Sequence, residues 1–256
     1  MNNDFLKEQY GTSNNLSARI QLHEKFSTNK YRWPLWVFDQ INSDKELSIL
    51  EVGCGNGDLW VQNKFRINNK WNIILSDSSS GMLEEAQNRL KGIKNIEYKV
   101  FDVQNIPFPS KYFDVVIANH MLYHVANVDQ GISEIARALK DNGTCYASTN
   151  SEEHMKEVFD IILQTTGKEL KGAISSFSVE NGMEILSKQF SKVQMLAYPD
   201  ALVITEIQPL FEYIMSIQCL FNEKNLEAIR KSLEQKFSEN NKIEITKESV
   251  LFVSQK

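Results

Sequence analysis

Residues 47–58 read LSILEVGCGNGD and pass from an apolar run into a turn with glycine at every second position. The run 47–52 has the length and branched side chains of a buried strand. Glycines at 53, 55 and 57 let the backbone turn tightly and approach a ligand without interference from a Cβ atom. A tight strand-to-helix turn would need the same glycines, so the context of this stretch decides between a ligand site and a plain turn.

Four further runs downstream have the character of buried strands: 72–76, 97–101, 113–118 and 144–148. Helical patterns lie between them. Strand–helix alternation of this kind predicts an α/β fold with a mostly parallel, doubly wound sheet. Ligands of such sheets bind beyond the carboxyl ends of the strands, so residues that follow each strand are the candidates for chemistry.

The clearest helical pattern precedes the fifth strand. Its apolar residues are spaced i, i+3, i+4 and i+7, which gives one stripe to lay on a sheet: Ile132, Ile135, Ala136 and Leu139. We expect Asp129 to cap the helix and Gly143 to follow its end.

The rest of the chain divides into two flanking zones. Residues 1–46 are aromatic-rich and have helical patterns. Residues 151–256 have helical patterns at 155–165, 206–220 and 225–237, and strand-like runs at 193–197 and 250–253.

The composition is that of a soluble globular protein. The chain has 256 residues, 42% hydrophobic and 24% charged, with a net charge of -5. An acidic chain disfavours a nucleic-acid substrate, because phosphate neutralisation needs a basic face. No apolar run approaches the roughly 20 residues of a membrane span, and residues 1–10 do not read as a secretory signal. Three cysteines without metal-ligand spacing predict reduced thiols, no metal and a cytoplasmic location.

Acidic residues end the second and third strands. Asp77 lies 20 residues beyond Gly57, where a carboxylate can accept hydrogen bonds from a ribose diol. Asp102 can accept from an adenine amino group while Val103 packs on the ring. Both positions predict an adenosine-containing ligand.

An NAD site is the nearest competitor, since its fingerprint is G-x-G-x-x-G. With Gly53 and Gly55 as the first two glycines, the third would fall on Asp58. A carboxylate there would repel a pyrophosphate but tolerate a cation. Glu51 adds negative potential, so the turn favours a positively charged ligand such as a sulfonium.

These stretches together resemble class I S-adenosylmethionine-dependent methyltransferases. The similar motifs are Ile49–Asp58, then DSSSGML at 77–83, the run 102–116, NHMLYH at 119–124 and RALK at 137–140. The resemblance covers about residues 45–150 and places the chain near the small-molecule branch that includes ubiquinone and menaquinone methyltransferases.

The resemblance implies a seven-stranded, Rossmann-like sheet in the order 3-2-1-4-5-7-6, with the last strand antiparallel. It implies a helical lid at residues 1–46 and an S-adenosylmethionine-binding core at 47–150. Residues 151–256 would supply a helical cap and the last two strands of the same domain.

The resemblance also implies a cofactor site. Gly53, Gly55 and the Cys54 backbone would face the methionyl part. Asp77 would hold the ribose, Met82 would flank the adenine, and Asp102 with Val103 would bind its far edge. Glu51 and Ser78 are further candidates for cofactor binding. Asn119 would lie near the sulfonium. Arg19 would pair with the cofactor carboxylate or with an acidic acceptor, and a surface arginine is the alternative.

The acceptor site is predicted from fewer signals. In-line methyl transfer needs a general base only when the nucleophile arrives protonated, and His124 and His120 are the candidates. They would share a face if their segment were helical, although either can be structural. Tyr10, His23, Trp33 and Tyr123 are candidates for binding a small-molecule acceptor, and packing into the core is the alternative for each aromatic ring.

Four functions compete at this level. The first is a small-molecule methyltransferase acting on O, N or C. The others are an RNA or protein methyltransferase, a non-catalytic S-adenosylmethionine binder, and an NAD-dependent oxidoreductase. The acceptor, the pathway and the oligomeric state are left open by the sequence.

Overall fold

The computed structural model describes residues 21–41, 43–169, 173–217 and 221–256. The strands are β1 (Leu47–Val52), β2 (Trp71–Asp77), β3 (Ile96–Val100), β4 (Phe113–Asn119), β5 (Leu139–Asn150), β6 (Lys192–Ile204) and β7 (Ile243–Gln255). The helices are α1 (Trp33–Ile41), α2 (Asp58–Gln62), α3 (Ser80–Arg89), α4 (Val128–Ala138), α5 (Lys156–Thr166), α6 (Gly182–Ser187), α7 (Ile207–Ile217) and α8 (Glu223–Asn240). Residues 21–26 are also helical.

The seven strands form one sheet in the order β3-β2-β1-β4-β5-β7-β6. β1 pairs in parallel with β2 and β4, and β4 pairs in parallel with β5. β7 lies antiparallel to β5, from Thr144 opposite Gln255 to Asn150 opposite Ser249. The predicted fold class and strand order are therefore confirmed.

Residues of β1 alternate between two hydrophobic cores. Leu50 and Val52 are buried in one cluster, and Ile49 is buried in the other. Successive side chains of a strand point to opposite faces, so both faces of the sheet are covered. A near-continuous apolar strand is what this environment requires.

Helix α4 has its N-cap two residues before the predicted one. Asn127 is the N-cap residue, and its side chain accepts a hydrogen bond from the backbone N–H of Gln130. Asp129 lies within the first turn instead. At the other end Leu139 adopts an extended conformation and starts β5, so the predicted stop at Gly143 is also wrong.

The strands near the second half of the sheet are longer than predicted. β5 includes a bulge, because Phe113 is opposite Leu139 whereas Val115 is opposite Thr144. The bulge accommodates residues 140–143 within the strand. β6 and β7 are 13 residues each, beyond the predicted runs 193–197 and 250–253.

The chain divides into two compact units. The first comprises the described parts of 1–30, 153–172 and 199–248, and the second comprises the described parts of 31–152, 173–198 and 249–256. The first unit has its own core, which includes Leu22, Ile161, Leu202 and Ile229. The second contains β1 to β5 and their two cores.

Three methionines of the last zone lie at the surface of the protein. Met183, Met195 and Met215 are 42%, 42% and 39% exposed.

None of the helices in the described part of the chain combines the length and apolar character needed to cross a membrane.

Candidate active site

The glycine turn after β1 has a left-handed backbone at three alternate positions. The φ angles are 64° at Gly53, 54° at Gly55 and 75° at Gly57. The turn is held by hydrogen bonds from Cys54 N to Ser76 O at 2.9 Å and from Gly57 N to Cys54 O at 3.0 Å. Residues with a Cβ atom adopt this conformation only at a cost, so the sequence pattern is explained by the backbone.

Asp77 links the glycine turn to the start of α3. Its Oδ2 accepts a hydrogen bond from Gly55 N at 2.9 Å, and its Oδ1 accepts one from Ser79 N at 2.9 Å. A carboxylate oxygen has a further lone pair, so each can still accept from a ligand hydroxyl. A Cβ atom at Gly55 would meet no atom within 4 Å, and the space above the turn is open there.

Met121 covers the first glycine of the turn. A Cβ atom at Gly53 would lie 2.8 Å from both Cβ and Cγ of Met121. This close approach between the glycine turn and the exit of β4 was not predicted. Only the three-dimensional pairing of β1 with β4 brings the two positions together.

Glu51 is buried beneath the turn, where it is 2% exposed. Trp60 Nε1 donates to its Oε2 at 2.5 Å. Burial raises the pKa of Glu51 to about 8, and the negative charges of Asp77 and Asp58 add to the rise. At neutral pH and without a cationic ligand, Glu51 is therefore mostly protonated, and the permanent negative potential expected from it is absent.

Asp58 has a cationic partner inside the site. Arg89 Nη2 donates to Asp58 Oδ1 at 2.9 Å, and Arg89 Nη1 donates to Asn56 O at the same distance. The two side chains are about one-third exposed, at 29% and 32%. The negative charge predicted from Asp58 is thus largely compensated, and Arg89 was missed because it lies 31 residues further along the chain.

Of the residues predicted to bind the adenine, Val103 is covered by other protein groups. Asp102 accepts from the backbone N and the side-chain Nε2 of Gln104, at 2.8 and 2.9 Å. Val103 is 5% exposed and packs within a core, which leaves little of it for an adenine ring. Met82 is half-buried and Ser78 is exposed.

A hydrogen-bonded chain lies at the exit of β4. Trp33 Nε1 and Ser148 Oγ both donate to Asn119 Oδ1, at 3.1 and 2.7 Å. Ser148 Oγ in turn accepts from His120 N at 2.9 Å. Three elements, α1, β4 and β5, therefore meet at one carboxamide.

The two candidate histidines do not share a helical face. His120 has a left-handed φ of 53°, and residues Leu122–His124 form a single 3₁₀ turn. The helical segment under which the two histidines would share a face is therefore not formed. The His120 ring lies 4.8 Å from the ring of Trp33, whereas the His124 ring lies 4.5 Å from that of Tyr123.

Trp33 belongs to a packed aromatic cluster. Its ring centroid lies 5.3 Å from that of Trp36 and 5.2 Å from that of Tyr198, and the last two are 5.3 Å apart. Trp33 and Trp36 are half-buried, so they are neither fully core nor an open cage. Tyr198 was missed because no local pattern connects it with residues so distant in sequence.

His23 belongs to the first compact unit, where its ring lies 6.4 Å from His154 and 6.0 Å from Tyr213. Burial lowers the pKa of His154 to about 4, and nearby Lys247 adds to the effect.

Tyr10 and Arg19 lie outside the described residues. Among the residues that are described, no three His, Cys, Asp or Glu side chains are grouped as metal ligands.

Residues 50–147 match a family model described as a methyltransferase domain. The chain is 27% identical over 131 residues to the ubiquinone/menaquinone biosynthesis C-methyltransferase UbiE of Vibrio vulnificus, which covers 50% of this chain and 49% of that protein. The chain thus spans about half the length of this curated relative.

Solved structures share the fold over most of the chain. A protein of Bacillus halodurans has a TM-score of 0.62 at 16% identity, covering 87% of this chain and 98% of that one. The phosphoethanolamine N-methyltransferase 2 of Haemonchus contortus, solved with phosphomonomethylethanolamine and S-adenosylhomocysteine, has a TM-score of 0.61 at 18% identity, covering 99% and 59%. The resemblance predicted from the motifs is confirmed.

Proposed function

We propose that this chain, whose residues 50–147 form a class I S-adenosylmethionine-dependent methyltransferase domain, methylates a small molecule. The proposal for the whole protein is supported by a relative whose name specifies C-methylation in ubiquinone and menaquinone synthesis. A structural neighbour solved with phosphomonomethylethanolamine and S-adenosylhomocysteine supports a small-molecule acceptor in general.

The observation that carries the proposal is the open glycine turn with its carboxylate. Gly55 has free space above it, and Asp77 lies directly beside it with both oxygens oriented by backbone N–H groups. The residues fit an adenosyl ligand, because the turn admits backbone contact and the carboxylate can still accept from a ribose diol. Gly53, Cys54 and Gly55 would hold the methionyl part of S-adenosylmethionine.

When bound, S-adenosylmethionine supplies an electrophilic methyl group on a good leaving group. The protein then chiefly has to align an acceptor atom with that methyl group, and alignment can supply about 7–11 kcal/mol of a barrier. The β4 exit, with Asn119 and His120, is the element beside the turn that would form one wall of the acceptor pocket. His120 and His124 remain the candidate bases, and Trp33 and Tyr123 remain candidate acceptor contacts. Tyr10, Arg19 and His23 stay predictions as well.

Calorimetry tests the proposal. We expect micromolar binding of S-adenosylmethionine and S-adenosylhomocysteine and no response to NAD. Asp77→Ala is expected to weaken the binding of both adenosyl ligands by about tenfold or more. It removes the hydrogen-bond acceptor for the ribose and the acceptor of the Gly55 N–H. Asp141→Asn, which changes the exposed pair with Lys111, is the matched control.

A metabolite panel assayed for release of S-adenosylhomocysteine would identify the acceptor. Absence of binding to either adenosyl ligand by the wild-type protein would overturn the proposed function. Unchanged affinity in Asp77→Ala would reject only the ribose assignment.

A further inference from the structure

Asn119 lies at the carboxyl end of β4 and ends that strand. A carboxamide can present either its oxygen or its nitrogen to a site, and its hydrogen-bond partners decide which. The two choices suit opposite chemistries, because oxygen accepts from amines and attracts cations whereas N–H groups donate to oxygen atoms.

The partners of Asn119 fix the orientation of its carboxamide. Trp33 Nε1 can only donate, and it lies 3.1 Å from Oδ1. Ser148 Oγ accepts from His120 N, so its own proton is available for Asn119 Oδ1 at 2.7 Å. Two donors therefore point at the Asn119 oxygen. If the carboxamide were flipped, its NH₂ group would face the N–H of Trp33, and two donors would lie against each other.

The nitrogen of the same carboxamide is left for a ligand. Asn119 Nδ2 donates to no acceptor within the described ranges, and the residue is half-buried. We infer that Asn119 uses Nδ2 to bind an oxygen atom of the methyl acceptor, with Trp33 and Ser148 as positioning residues. This inference rests on the proposed function, since it requires an acceptor beside the cofactor.

The same orientation excludes two other roles for Asn119. Its oxygen is not available to accept from an acceptor amine, and its N–H groups would direct positive charge at a sulfonium. The acceptor class that fits is a small molecule with a carbonyl, hydroxyl or enolate oxygen near the atom that receives the methyl group. The family resemblance implies that Asn119 lies near the sulfonium, whereas the inference assigns the contact of its Nδ2 to the acceptor.

The backbone around Asn119 is held in place as well. His120 adopts a left-handed φ of 53°, which is uncommon for a residue with a Cβ atom. The hydrogen bond from His120 N to Ser148 Oγ ties this conformation to the carboxamide. Strained residues of this kind are concentrated at functional sites.

Phenol and aniline, which differ only in the polar group, test the inference on the full chain saturated with S-adenosylhomocysteine. With asparagine side chains labelled by ¹⁵N, the Asn119 carboxamide signal is identified by its loss in Asn119→Asp. We expect phenol to shift that signal and to bind at least fivefold more tightly than aniline. Asn119→Asp is expected to weaken the binding of phenol at least tenfold, while the Kd of S-adenosylhomocysteine changes less than threefold.

Asn222→Asp is the matched control, because aspartate caps α8 as well as asparagine does. It is expected to match the wild type in both measurements. Ser148→Ala should add a second Asn119 carboxamide signal without a probe and reduce the preference for phenol. If Ser148 had only a structural role, Ser148→Ala would change neither the number of Asn119 carboxamide signals nor the preference for phenol.

Three results would overturn the inference. They are equal responses to phenol and aniline, no response to either, or a tenfold change in the Kd of S-adenosylhomocysteine in Asn119→Asp with phenol binding intact. Failure of the wild type to bind S-adenosylhomocysteine would instead overturn the proposed function.

Discussion

Glu51 is a buried acid in a site proposed to receive a cation. Its single described donor is Trp60 Nε1, and burial raises its pKa to about 8. A protonated carboxyl is neutral, so at neutral pH Glu51 carries a negative charge only when its surroundings lower its pKa. An ammonium or sulfonium nearby is such a factor, since an opposite charge lowers the pKa of an acid.

Cofactor binding is therefore expected to release a proton. Since the unliganded Glu51 has a pKa of about 8 and the liganded carboxyl has a lower one, the contribution of Glu51 to the affinity for S-adenosylmethionine should rise with pH and level off above about 8. Calorimetry in buffers of different ionisation enthalpy measures the released proton.

Glu51→Gln should abolish this rise in affinity, and Glu97→Gln, at an exposed glutamate, should behave like the wild type. A wild-type affinity that does not vary between about pH 6 and 9 would show that Glu51 is not linked to binding.

Gly53 and Gly55 form a natural pair for substitution. Both have positive φ, but a Cβ atom meets Met121 at 2.8 Å only at Gly53. We expect Gly55→Ala to lower the free energy of unfolding by about 1–2 kcal/mol from backbone strain alone. Gly53→Ala should cost at least about 1 kcal/mol more, because overpacking is added.

Denaturant titration of both variants measures the difference, and Met121→Ala in the Gly53→Ala background should recover most of it. Equal losses in the two single variants would show that Met121 moves away without cost.

At the scale of elements, the sequence predicts the strands that are buried on both faces better than the segments that connect them. β1 has the predicted bounds, because its apolar residues have no alternative to the interior. The exit of β4 was predicted as a possible helix, but the bond between His120 N and Ser148 Oγ holds it in another conformation. Trp33 and Asn119 are 86 residues apart, and no local pattern encodes such a pair.

The start of α4 allows a direct test of its cap. Asn127→Ala should lower the free energy of unfolding by about 0.5–2 kcal/mol, since the N–H of Gln130 loses its side-chain acceptor. Asp129→Ala should cost less than about 1 kcal/mol, because its carboxylate is in an exposed pair with Lys188. Thermal or denaturant unfolding compares the two. A larger loss at Asp129 would restore the cap predicted from the sequence.

At the scale of the whole molecule, the first compact unit contains a charged group with no access to solvent. The side chain of Asp200 is 0% exposed, and that of its partner Lys247 is 13% exposed. Asp200 also accepts from Ser27 Oγ at 2.5 Å and Asn29 N at 3.0 Å. Polar groups from two distant stretches of sequence, 27–29 and 247, thus meet at one carboxylate, which no pattern along the chain could predict.

Removing that carboxylate charge is expected to be costly. Asp200→Asn removes the negative charge that faces Lys247, and breaking a buried pair typically costs about 3–5 kcal/mol. Glu206→Gln is the control, because its pair with Lys25 is about half exposed and worth about 0–1 kcal/mol. Hydrogen exchange of amides in the first unit gives the readout. Equal protection in the two variants would show that the burial of Asp200 adds nothing to stability.

The position of β7 has a consequence for protein synthesis. β7 comes after β6 in the chain but lies between β5 and β6 in the sheet. Until residues 243–255 have left the ribosome, β6 has no place to join and β5 remains an open edge, which can pair with another nascent chain. Translation of this protein therefore includes an interval in which the exposed edge of β5 can pair with other chains, and the addition of β7 to the sheet ends that interval.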